Sequence, residues 1–337
     1  MYLKKTYIIA EAGINHKGNF TIAKKFIRIA KDCGADAVKF QSFVPEEVVT
    51  KNLNLADYQK RNLKNKKLKM LDMISRYSLS KKEQIKLFNY AKKINIDFIS
   101  SAFDLDSLEF LINKLKIKIL KIPSGEITNF PYLKKIASTK RKIILSTGMS
   151  NLNEVKQALK ILRSKGLKRE DITVLHCNTA YPTPVSDVNL NVLNKIKKEL
   201  NVKVGYSDHT LGIEVSIAAV ALGAEVIEKH FTLNKTWDGP DQKSSLNIIE
   251  LKNMILSIRN IEKAMGSFVK KITRSERKNI LFARKSIVAK RKILKGEKFS
   301  KNNLTVKRPG NGISPMMWMK IINKKSKKKF KRDDQIS

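Results

Sequence analysis

Two histidines lie close to the ends of two consecutive β-branched segments of the sequence. His209 ends the first of these segments and His230 ends the second, with Asp208 and Glu228 as acidic neighbours. Because neighbouring strands of a sheet lie ~4.8 Å apart, both imidazoles can converge on one divalent ion, and the carboxylates can hydrogen-bond to the rings. Two histidine ligands leave positions open for substrate oxygens and water, as a catalytic metal requires. The alternative is a pair of hydrogen-bonded structural histidines.

Two lysines, Lys39 and Lys121, end two earlier segments of the same type. A cationic side chain inside a protein cavity needs an anion to offset its desolvation. Hydroxyl groups follow nearby segments, at Ser101, Ser124, Ser146 and Ser207. Two ammonium groups with several hydroxyl donors suit a phosphate ester, which accepts charge-assisted hydrogen bonds from many directions. The alternatives are a Schiff-base lysine and a structural ion pair with Glu11 or Glu126.

Two loops carry side chains suited to a carbohydrate. Residues 176–184 include Tyr181, followed by two prolines that stiffen the loop, and residues 237–242 include Asp241, whose carboxylate can bind sugar hydroxyls with both oxygens. Both loops are also rich in Pro, Gly, Asn and Asp, which are common turn residues. A sugar site and two plain turns are therefore both compatible with these loops.

Eight short segments rich in β-branched residues must position these groups. They cover residues 7–13, 35–43, 96–103, 117–125, 142–148, 172–178, 202–208 and 224–232. The stretches between them show helical periodicity, as in Phe26, Ile29, Ala30 and Cys33, which precede a helix-stopping glycine. Repeated helix and strand units require a parallel sheet with crossover helices, and eight units favour a closed (β/α)8 barrel. Catalytic groups of such barrels lie at the C-terminal strand ends.

The length of 337 residues fits one barrel of ~250 residues with a small extra module. We predict the barrel over residues 1–265, a charged linker over 266–282 and the module over 283–337. In the module we expect strands at 283–287, 293–299 and 304–308, and a solvated basic tail over 324–332. The long connection over 44–76 is expected to fold partly over the barrel mouth.

The net charge of +39 would ordinarily suggest a nucleic-acid partner. The lysines, however, occur along nearly every predicted helix rather than on one stripe interleaved with aromatic residues. We therefore expect neither nucleic-acid nor membrane binding. Two cysteines give no disulfide framework, the N-terminal residues 1–5 do not resemble a signal peptide, and no apolar run reaches ~18 residues. These features predict a cytoplasmic protein.

Nine motifs in order resemble the bacterial sialic acid synthase (N-acetylneuraminate synthase) family. They are EAGINH at 11–16, VKFQ at 38–41, KIPSGE at 121–126, LSTGM at 145–149, LHCN at 175–178, YPTP at 181–184, GYSDHT at 205–210, EKHFT at 228–232 and KRPGNG at 307–312. The resemblance extends from residue 6 to about residue 334. It implies a TIM barrel followed by a small antifreeze-like (SAF) domain that is exchanged across a homodimer.

The resemblance implies an enzyme that condenses phosphoenolpyruvate with an N-acyl mannosamine-type sugar in a metal-dependent reaction. With N-acetylmannosamine, the products are a nonulosonic (sialic) acid and phosphate released by C–O cleavage. An alternative keeps this chemistry with a 2,4-diacetamido-2,4,6-trideoxy sugar and gives legionaminic or pseudaminic acid. A non-enzyme alternative is a basic protein that binds nucleic acid or an anionic surface.

The same resemblance implies roles for individual residues. His209 and His230 would hold Mn²⁺ or Mg²⁺. The groups that would bind phosphoenolpyruvate are Lys39, Ser101, Lys121, Ser124, Ser146 and Ser207. The groups that would line the sugar site are Gln41, Phe103, Glu126, Tyr181 and Asp241, joined by Arg308 of the partner subunit. Glu11 would lie beside the reacting centre, and the sequence leaves open whether Glu11 or Glu228 manages the proton.

Several features depart from the family pattern. The lysine-rich tail around Lys324 lacks the glycine usually found near it, which bears on the packing of the last strand. Ser101-Ala102 stands where Thr-Pro is frequent, Gln242 where a histidine is common, and Ala180 where a glutamate is common. None of these departures removes a proposed ligand of the metal or of phosphoenolpyruvate. The other departures bear instead on the identity of the sugar.

Overall fold

The structure, a computed structural model, describes residues 5–63 and 67–337. Residues 1–4 of the N-terminal stretch inspected for a signal peptide, and 64–66 of the 44–76 connection, lie outside the described residues. The chain divides into two compact units between Gly266 and Ser267. Within the described ranges, no helix combines the length and the apolar character needed to span a bilayer.

The first unit is a closed barrel of parallel strands, which confirms the predicted fold class. Its strands among the described residues are β1 (Tyr7–Gly13), β2 (Ala37–Ser42), β3 (Asp97–Ala102), β4 (Ile119–Ile122), β5 (Lys142–Ser146), β6 (Ile172–Cys177), β7 (Lys203–Asp208) and β8 (Val226–His230). They pair in chain order, and β8 pairs with β1 to close the barrel. All eight predicted segments contain one of these strands, so the strand ends converge on one mouth as expected.

Helices connect the strands. They are α1 (Phe20–Asp32), α2 (Pro45–Val48), α3 (Asp57–Asn62), α4 (Met70–Tyr77), α5 (Lys81–Lys93), α6 (Leu105–Glu109, continued by a π-helical turn over Phe110–Lys114), α7 (Phe130–Ala137), α8 (Leu152–Arg163), α9 (Val192–Leu200), α10 (Glu214–Ala221) and α11 (Ile248–Met265). In α1 the Asn19 side chain caps the first turn, and Phe26 and Ala30 are buried on one face. Cys33 is buried at its end, as predicted.

Side chains inside the barrel lie in layers two residues apart along each strand. The apolar layer consists of Ile9, Ala37, Ile99, Ile144, Leu175 and Val226, with Ile119 packed against it. Because side chains alternate between the two faces of a strand, the next inward positions come two residues later. These positions form the polar layer, which consists of Glu11, Lys39, Ser101, Lys121, Ser146, Cys177, Ser207 and Glu228. The barrel therefore places its ionisable groups directly above an apolar floor.

Gly205 of β7 shows how tightly this floor is packed. A Cβ atom at this position would lie 2.5 Å from Leu175 Cδ2 and 2.5 Å from the backbone oxygen of Val226. Any larger residue would have to displace the neighbouring strand or the Leu175 side chain. The absence of a side chain at Gly205 thus allows the strands that carry Cys177, Ser207 and Glu228 to close.

The second unit contains a small antiparallel sheet of β9 (Ser286–Ala289) and β10 (Leu304–Lys307), with the short helices α12 (Asn279–Ala283) and α13 (Trp318–Ile321). Three details differ from the sequence prediction. Residues 293–299 pair only through isolated bridges, and a helix occupies part of the predicted linker. The basic tail over 324–332 is not simply solvated, because its Phe330 is buried in the core of this unit. The apolar side chains turn inward while the lysines around Phe330 stay at the surface.

Candidate active site

The polar layer contains a buried cluster of two lysines and two glutamates, which we call the ring. Lys39 Nζ lies 2.9 Å from Glu11 Oε2 and 3.8 Å from Glu228 Oε2. Lys121 Nζ lies 3.4 Å from Glu228 Oε1. All four side chains are at most 6% exposed. The predicted ion pair between a lysine and Glu11 is therefore present for Lys39, whereas Lys121 pairs with Glu228 rather than with Glu126.

Hydroxyl groups surround the two ammonium groups of this ring. Lys39 Nζ donates to Ser101 Oγ at 3.3 Å, and Lys121 Nζ donates to Ser146 Oγ at 2.8 Å. Ser207 Oγ donates to Glu228 Oε1 at 3.0 Å. The structure thus brings together five of the six residues predicted to bind phosphoenolpyruvate.

Ser124, the sixth of these residues, is held slightly apart. Its Oγ accepts a hydrogen bond from the backbone N–H of Gly148 at 3.0 Å and lies 3.8 Å from Cys177 Sγ. A Cβ atom at Gly148 would lie 3.0 Å from Ser124 Oγ, so a side chain there would displace the hydroxyl. Ser124 is therefore connected to the polar layer only by its contact with Cys177, a member of that layer.

The two glutamates of the ring differ in their proton affinity. Burial raises the pKa of Glu11 to about 7, against the opposing effect of Lys39. Glu228 is also buried, but Lys121 and Lys39 outweigh its desolvation and hold its pKa below the usual value. Glu11 Oε1 is buried and lacks a hydrogen-bond partner among residues 5–63 and 67–337. Glu11 is thus the carboxyl group suited to exchange a proton near neutral pH.

The two histidines stand side by side at the next level towards the mouth. Their ring centroids are 5.5 Å apart. His209 Nδ1 lies 2.5 Å from the backbone oxygen of Asn178, so Nδ1 carries the proton and Nε2 presents its lone pair. The Tyr181 hydroxyl lies 3.0 Å from this Nε2. The loop after β6 therefore fixes the tautomer of His209, as an outer partner of a metal-binding histidine does.

His230 completes the donor set. Burial holds the pKa of His230 well below its usual value, so the ring is neutral and can act as a ligand. Its Nδ1 is buried without a hydrogen-bond partner in the described part of the chain. A divalent ion would use the His230 ring and, by displacing the Tyr181 hydroxyl, Nε2 of His209. The described residues contain no group of three or more His, Cys, Asp or Glu that could hold a metal.

The side chains predicted to line the sugar site lie at the strand ends and in the loops above them. Half-buried Gln41 pairs with Ser101 in the register of β2 and β3. Phe103 packs edge-on against Phe43 at a centroid distance of 6.4 Å. Glu126 accepts a hydrogen bond from Asn129 Nδ2 at 2.6 Å. Each of these three predicted residues therefore has a partner beside the mouth of the barrel.

Two further predicted sugar-site residues come from loops and from the second unit. Burial raises the pKa of Asp241, in the loop after β8, to about 6. Arg308 directly follows β10 in the second unit and is exposed. Its predicted role at the site of a partner subunit stays a prediction.

The 44–76 connection folds over the mouth, as predicted. Its helix α3 places Tyr58 on Tyr181, with the rings stacked at a centroid distance of 5.1 Å. Asn62 Nδ2 donates to the backbone oxygen of Pro240 at 2.6 Å. These contacts join α3 to the loops after β6 and β8, which carry Tyr181 and Asp241. Tyr58 was not predicted as a site residue, because nothing in the spacing of 44–76 indicates which residue reaches the mouth.

Two other site features were missed or misassigned. Cys177 Sγ lies 3.9 Å from His209 Nδ1. The position of Cys177, two residues after the inward-facing Leu175, would have been enough to predict that it faces the site.

The prediction that Asp208 and Glu228 hydrogen-bond to the histidines is wrong. Asp208 binds Lys229 at 2.7 Å on the outer face of the strands, and Glu228 binds the lysines of the ring.

Comparison with known proteins decides the family. The NeuB family model matches residues 26–270, and the SAF domain model matches residues 284–337. The chain belongs to the NeuB family. It is 53% identical over 334 residues to the N,N'-diacetyllegionaminic acid synthase of Campylobacter jejuni, covering 99% of each chain.

More distant NeuB-type relatives agree with this assignment. The N,N'-diacetyllegionaminic acid synthase of Legionella pneumophila is 43% identical over 318 residues, which cover 94% of this chain and 89% of that protein. A solved structure of the N-acetylneuraminic acid (sialic acid) synthetase of Leptospira borgpetersenii is 32% identical, with a TM-score of 0.70, and the match covers 83% of this chain and 91% of that one. The protein is therefore a NeuB-family synthase, an enzyme that condenses phosphoenolpyruvate with an amino sugar.

Proposed function

We propose that this NeuB-family enzyme condenses phosphoenolpyruvate with a 2,4-diacetamido-2,4,6-trideoxy sugar to give N,N'-diacetyllegionaminic acid and phosphate. The 53% identity to the C. jejuni synthase over the whole chain supports this choice of sugar. N-acetylmannosamine, placed first on the sequence alone, becomes the second candidate, which the likeness to the Leptospira synthetase supports. The buried ring of two lysines and two glutamates is the structural observation that carries the condensation chemistry.

Lys39 and Lys121 bind the phosphate and carboxylate of phosphoenolpyruvate in this proposal. The two ammonium groups are buried, and their hydroxyl partners Ser101 and Ser146 can donate to the same anion. Charge-assisted hydrogen bonds of this kind are roughly twice as strong as neutral ones. Glu11 and Glu228 outweigh desolvation and raise the pKa of Lys39, which keeps Lys39 protonated and disfavours a Schiff base at this residue. Burial lowers the pKa of Lys121, so the same argument does not extend to Lys121.

His209 and His230 are the residues that would hold Mn²⁺ or Mg²⁺. Such an ion would act as a Lewis acid on the aldehyde of the sugar. The protein contributes two imidazoles: the Asn178 carbonyl orients the ring of His209, and burial lowers the pKa of His230 and keeps that ring neutral. Their position above the lysines would bring the aldehyde next to the enol.

C3 of phosphoenolpyruvate bonds to the aldehyde carbon, and the aldehyde oxygen takes up a proton to become a hydroxyl. Water adds to C2 and loses a proton, and the tetrahedral C2 becomes the keto group as its C–O bond to phosphate breaks. We assign Glu11 to the proton of the attacking water. Its pKa of about 7 and its unpaired Oε1 suit a general base at neutral pH. Glu228, which Lys121 and Lys39 keep ionised, instead balances the charge of the two lysines.

The sugar-selecting groups in this proposal lie above the polar layer. Tyr181, Tyr58 and Asp241 come from three separate segments that meet at the mouth. In a homodimer with exchanged SAF domains, Arg308 of the partner subunit would add a cation for the N-acyl group. Met316 and Met319 of the second unit are 91% and 78% exposed, and exposed apolar residues of this kind support a partner-covered surface.

Phosphate release tests the proposal. The enzyme is incubated with phosphoenolpyruvate, Mn²⁺ and either the diacetamido sugar or N-acetylmannosamine, and kcat/KM is compared. The diacetamido sugar should give the larger kcat/KM and a product with the mass of N,N'-diacetyllegionaminic acid. A larger value with N-acetylmannosamine would reject the choice of sugar, and no release with any N-acyl amino sugar would reject the synthase assignment.

A further inference from the structure

Asp208 and Lys229 face each other on neighbouring strands, one residue before each histidine of the site. They are direct partners in the register of β7 and β8. Both side chains are 0% exposed, and Lys229 Nζ lies 2.7 Å from Asp208 Oδ2. Because Ser207 and Glu228 face the interior, these two residues face outward, towards α10. The pair therefore lies behind the histidines and cannot touch a ligand in the mouth.

Every donor of the Lys229 ammonium group is used within this small region. Beyond Asp208, it donates to the backbone oxygen of Thr210 at 2.8 Å and to Thr210 Oγ1 at 3.3 Å. An ammonium group has three N–H donors, so the set is complete. Lys229 of β8 thus hydrogen-bonds to the residues on both sides of His209, which directly follows β7.

Asp208 uses both carboxylate oxygens in the same way. Oδ1 accepts from the Thr210 backbone N–H at 2.9 Å and from Thr210 Oγ1 at 2.8 Å. Oδ2 accepts from Ser216 Oγ of α10 at 2.6 Å in addition to Lys229. The turn that carries His209 is consequently fixed to the strand that carries His230 and to the helix behind both.

Stability alone is a weak explanation for such a pair. Removing two charges from water costs several kcal/mol per ion, and replacing a buried pair with apolar residues of similar volume is often neutral or stabilising. A hydrogen-bonded pair supplies direction, which an apolar contact does not. Here the directional hydrogen bonds fix the position of residues 208–210 relative to β8.

We propose that the Asp208–Lys229 pair sets the spacing and orientation of His209 and His230, and so determines the affinity of this site for a divalent cation. The inference rests on the proposed metal-binding role of the two histidines. Asp208 and Lys229 are positioning residues, because they act through the backbone of the histidines. Loss of an outer partner of a metal ligand typically weakens metal affinity 10- to 100-fold.

The test is direct Mn²⁺ binding by calorimetry to the full-length protein. The double variant Asp208→Leu/Lys229→Met removes both charges together and leaves no unpaired ion. We expect its Kd for Mn²⁺ to rise about 10- to 100-fold, with its thermal midpoint close to that of the parent. The affinity for phosphoenolpyruvate without metal should stay within about twofold, because the ring around Lys39 and Lys121 is not touched.

A matched control removes a similar ion pair at the other end of the strands. Arg259 binds Asp36 at 2.7 Å, and Asp36 accepts from the backbone N–H of Ile8 near the start of β1. The double variant Asp36→Leu/Arg259→Met should leave the Kd for Mn²⁺ unchanged even where it lowers the thermal midpoint. An equal loss of Mn²⁺ affinity in this control would overturn the proposal, since the effect would then be general destabilisation.

A milder variant keeps the proposal testable if the double variant does not fold. Thr210→Val removes the hydroxyl that contacts both Asp208 and Lys229 while keeping the side-chain shape. It should weaken Mn²⁺ binding several-fold, and a folded Thr210→Val with the Kd of the parent would overturn the inference.

The variant His209→Ala tests the metal site itself, separately from the role of the Asp208–Lys229 pair. If the parent binds Mn²⁺ and His209→Ala does not, the metal site is supported even if the Asp208–Lys229 variants bind Mn²⁺ normally. A parent that does not bind Mn²⁺ would overturn both the metal site and the positioning role of the pair.

Discussion

Lys39 and Glu11 are direct partners in the register of β2 and β1, and Lys39 Nζ lies 2.9 Å from Glu11 Oε2 inside the barrel. This cross-strand pair links the group assigned to anion binding with the group assigned to the proton. Each of the two residues sets the charge state of the other, because both are buried and desolvation alone would neutralise them. Their roles can still be separated by substitution.

Replacing Lys39 should impair anion binding. In Lys39→Met the ammonium group is lost, and the KM for phosphoenolpyruvate should rise about 10- to 100-fold, since a hydrogen bond to a charged group contributes about 1.5–3 kcal/mol. Steady-state phosphate release measures this change. The control Lys235→Met removes a partly exposed lysine that pairs with Glu250, and its KM should match that of the parent. An unchanged KM in Lys39→Met would contradict the anion-binding role.

Replacing Glu11 should impair the chemical step. Glu11→Gln keeps the shape but removes the base, so kcat should fall about 10²- to 10⁴-fold while the KM for phosphoenolpyruvate changes little. In the parent, activity should rise with pH through about 7, the pKa to which burial raises Glu11, because the ionised form acts as the base. Glu11→Gln should lack this limb of the pH profile. The same limb with the same midpoint in the variant would show that another group is titrating.

Acid should destabilise the barrel through His16. This ring is buried in the loop after β1, and burial lowers its pKa from 6.5 to about 4. Below pH 6.5 the unfolded chain binds a proton that the folded protein does not bind until about pH 4. Stability is therefore complete above pH 6.5 and falls through this window, by about 3 kcal/mol in total from this group.

Urea unfolding at a series of pH values between 6.5 and 4.5 measures the effect of His16. The variant His16→Asn has no titrating group at this position, so its free energy of unfolding should depend less steeply on pH than that of the parent. Both proteins share all other titrating groups, and the difference between their slopes therefore isolates His16. Parallel slopes would contradict the prediction.

Replacing Tyr58 should change the KM for the sugar more than the KM for phosphoenolpyruvate. Its ring covers Tyr181 at the mouth, above the polar layer. Tyr58→Ala removes a stacked pair that contributes about 0.5–1.5 kcal/mol, so the KM for the sugar should rise roughly 3- to 10-fold with little change in the KM for phosphoenolpyruvate. The control Tyr90→Ala alters a tyrosine of α5 that lies against Lys24. Equal effects on both KM values would place Tyr58 outside the sugar site.

The sequence predicts the strand-borne part of the site well, because a strand has only two faces. Once Leu175 is known to face inward, Cys177 and the other members of the polar layer follow by alternation. The same logic explains the error over Asp208, which is one residue away from an inward position and therefore faces outward. Which side chains of a strand face the barrel interior can thus be predicted largely by counting residues along the strand.

The loop-borne part of the site could not be predicted in this way. The placement of Tyr58 depends on how a connection of more than thirty residues folds back, and no local pattern encodes such a long-range contact. The tautomer of His209 depends on the Asn178 carbonyl, a backbone group whose direction the sequence does not specify. The burial of Phe330 in the second unit likewise depends on pairing with Ile293, 37 residues earlier in the chain.

Among the described residues, the apolar layer closes the barrel interior beneath Lys39 and Lys121, on the side away from the histidines. A compound that is to reach Lys39 and Lys121 must pass the histidines and the Tyr58–Tyr181 stack before the upper space is filled. We therefore expect an ordered reaction, in which phosphoenolpyruvate binds at the lysines before the sugar binds above it. The tight packing around Gly205 that seals the floor therefore bears on the kinetics of turnover as well as on the fold.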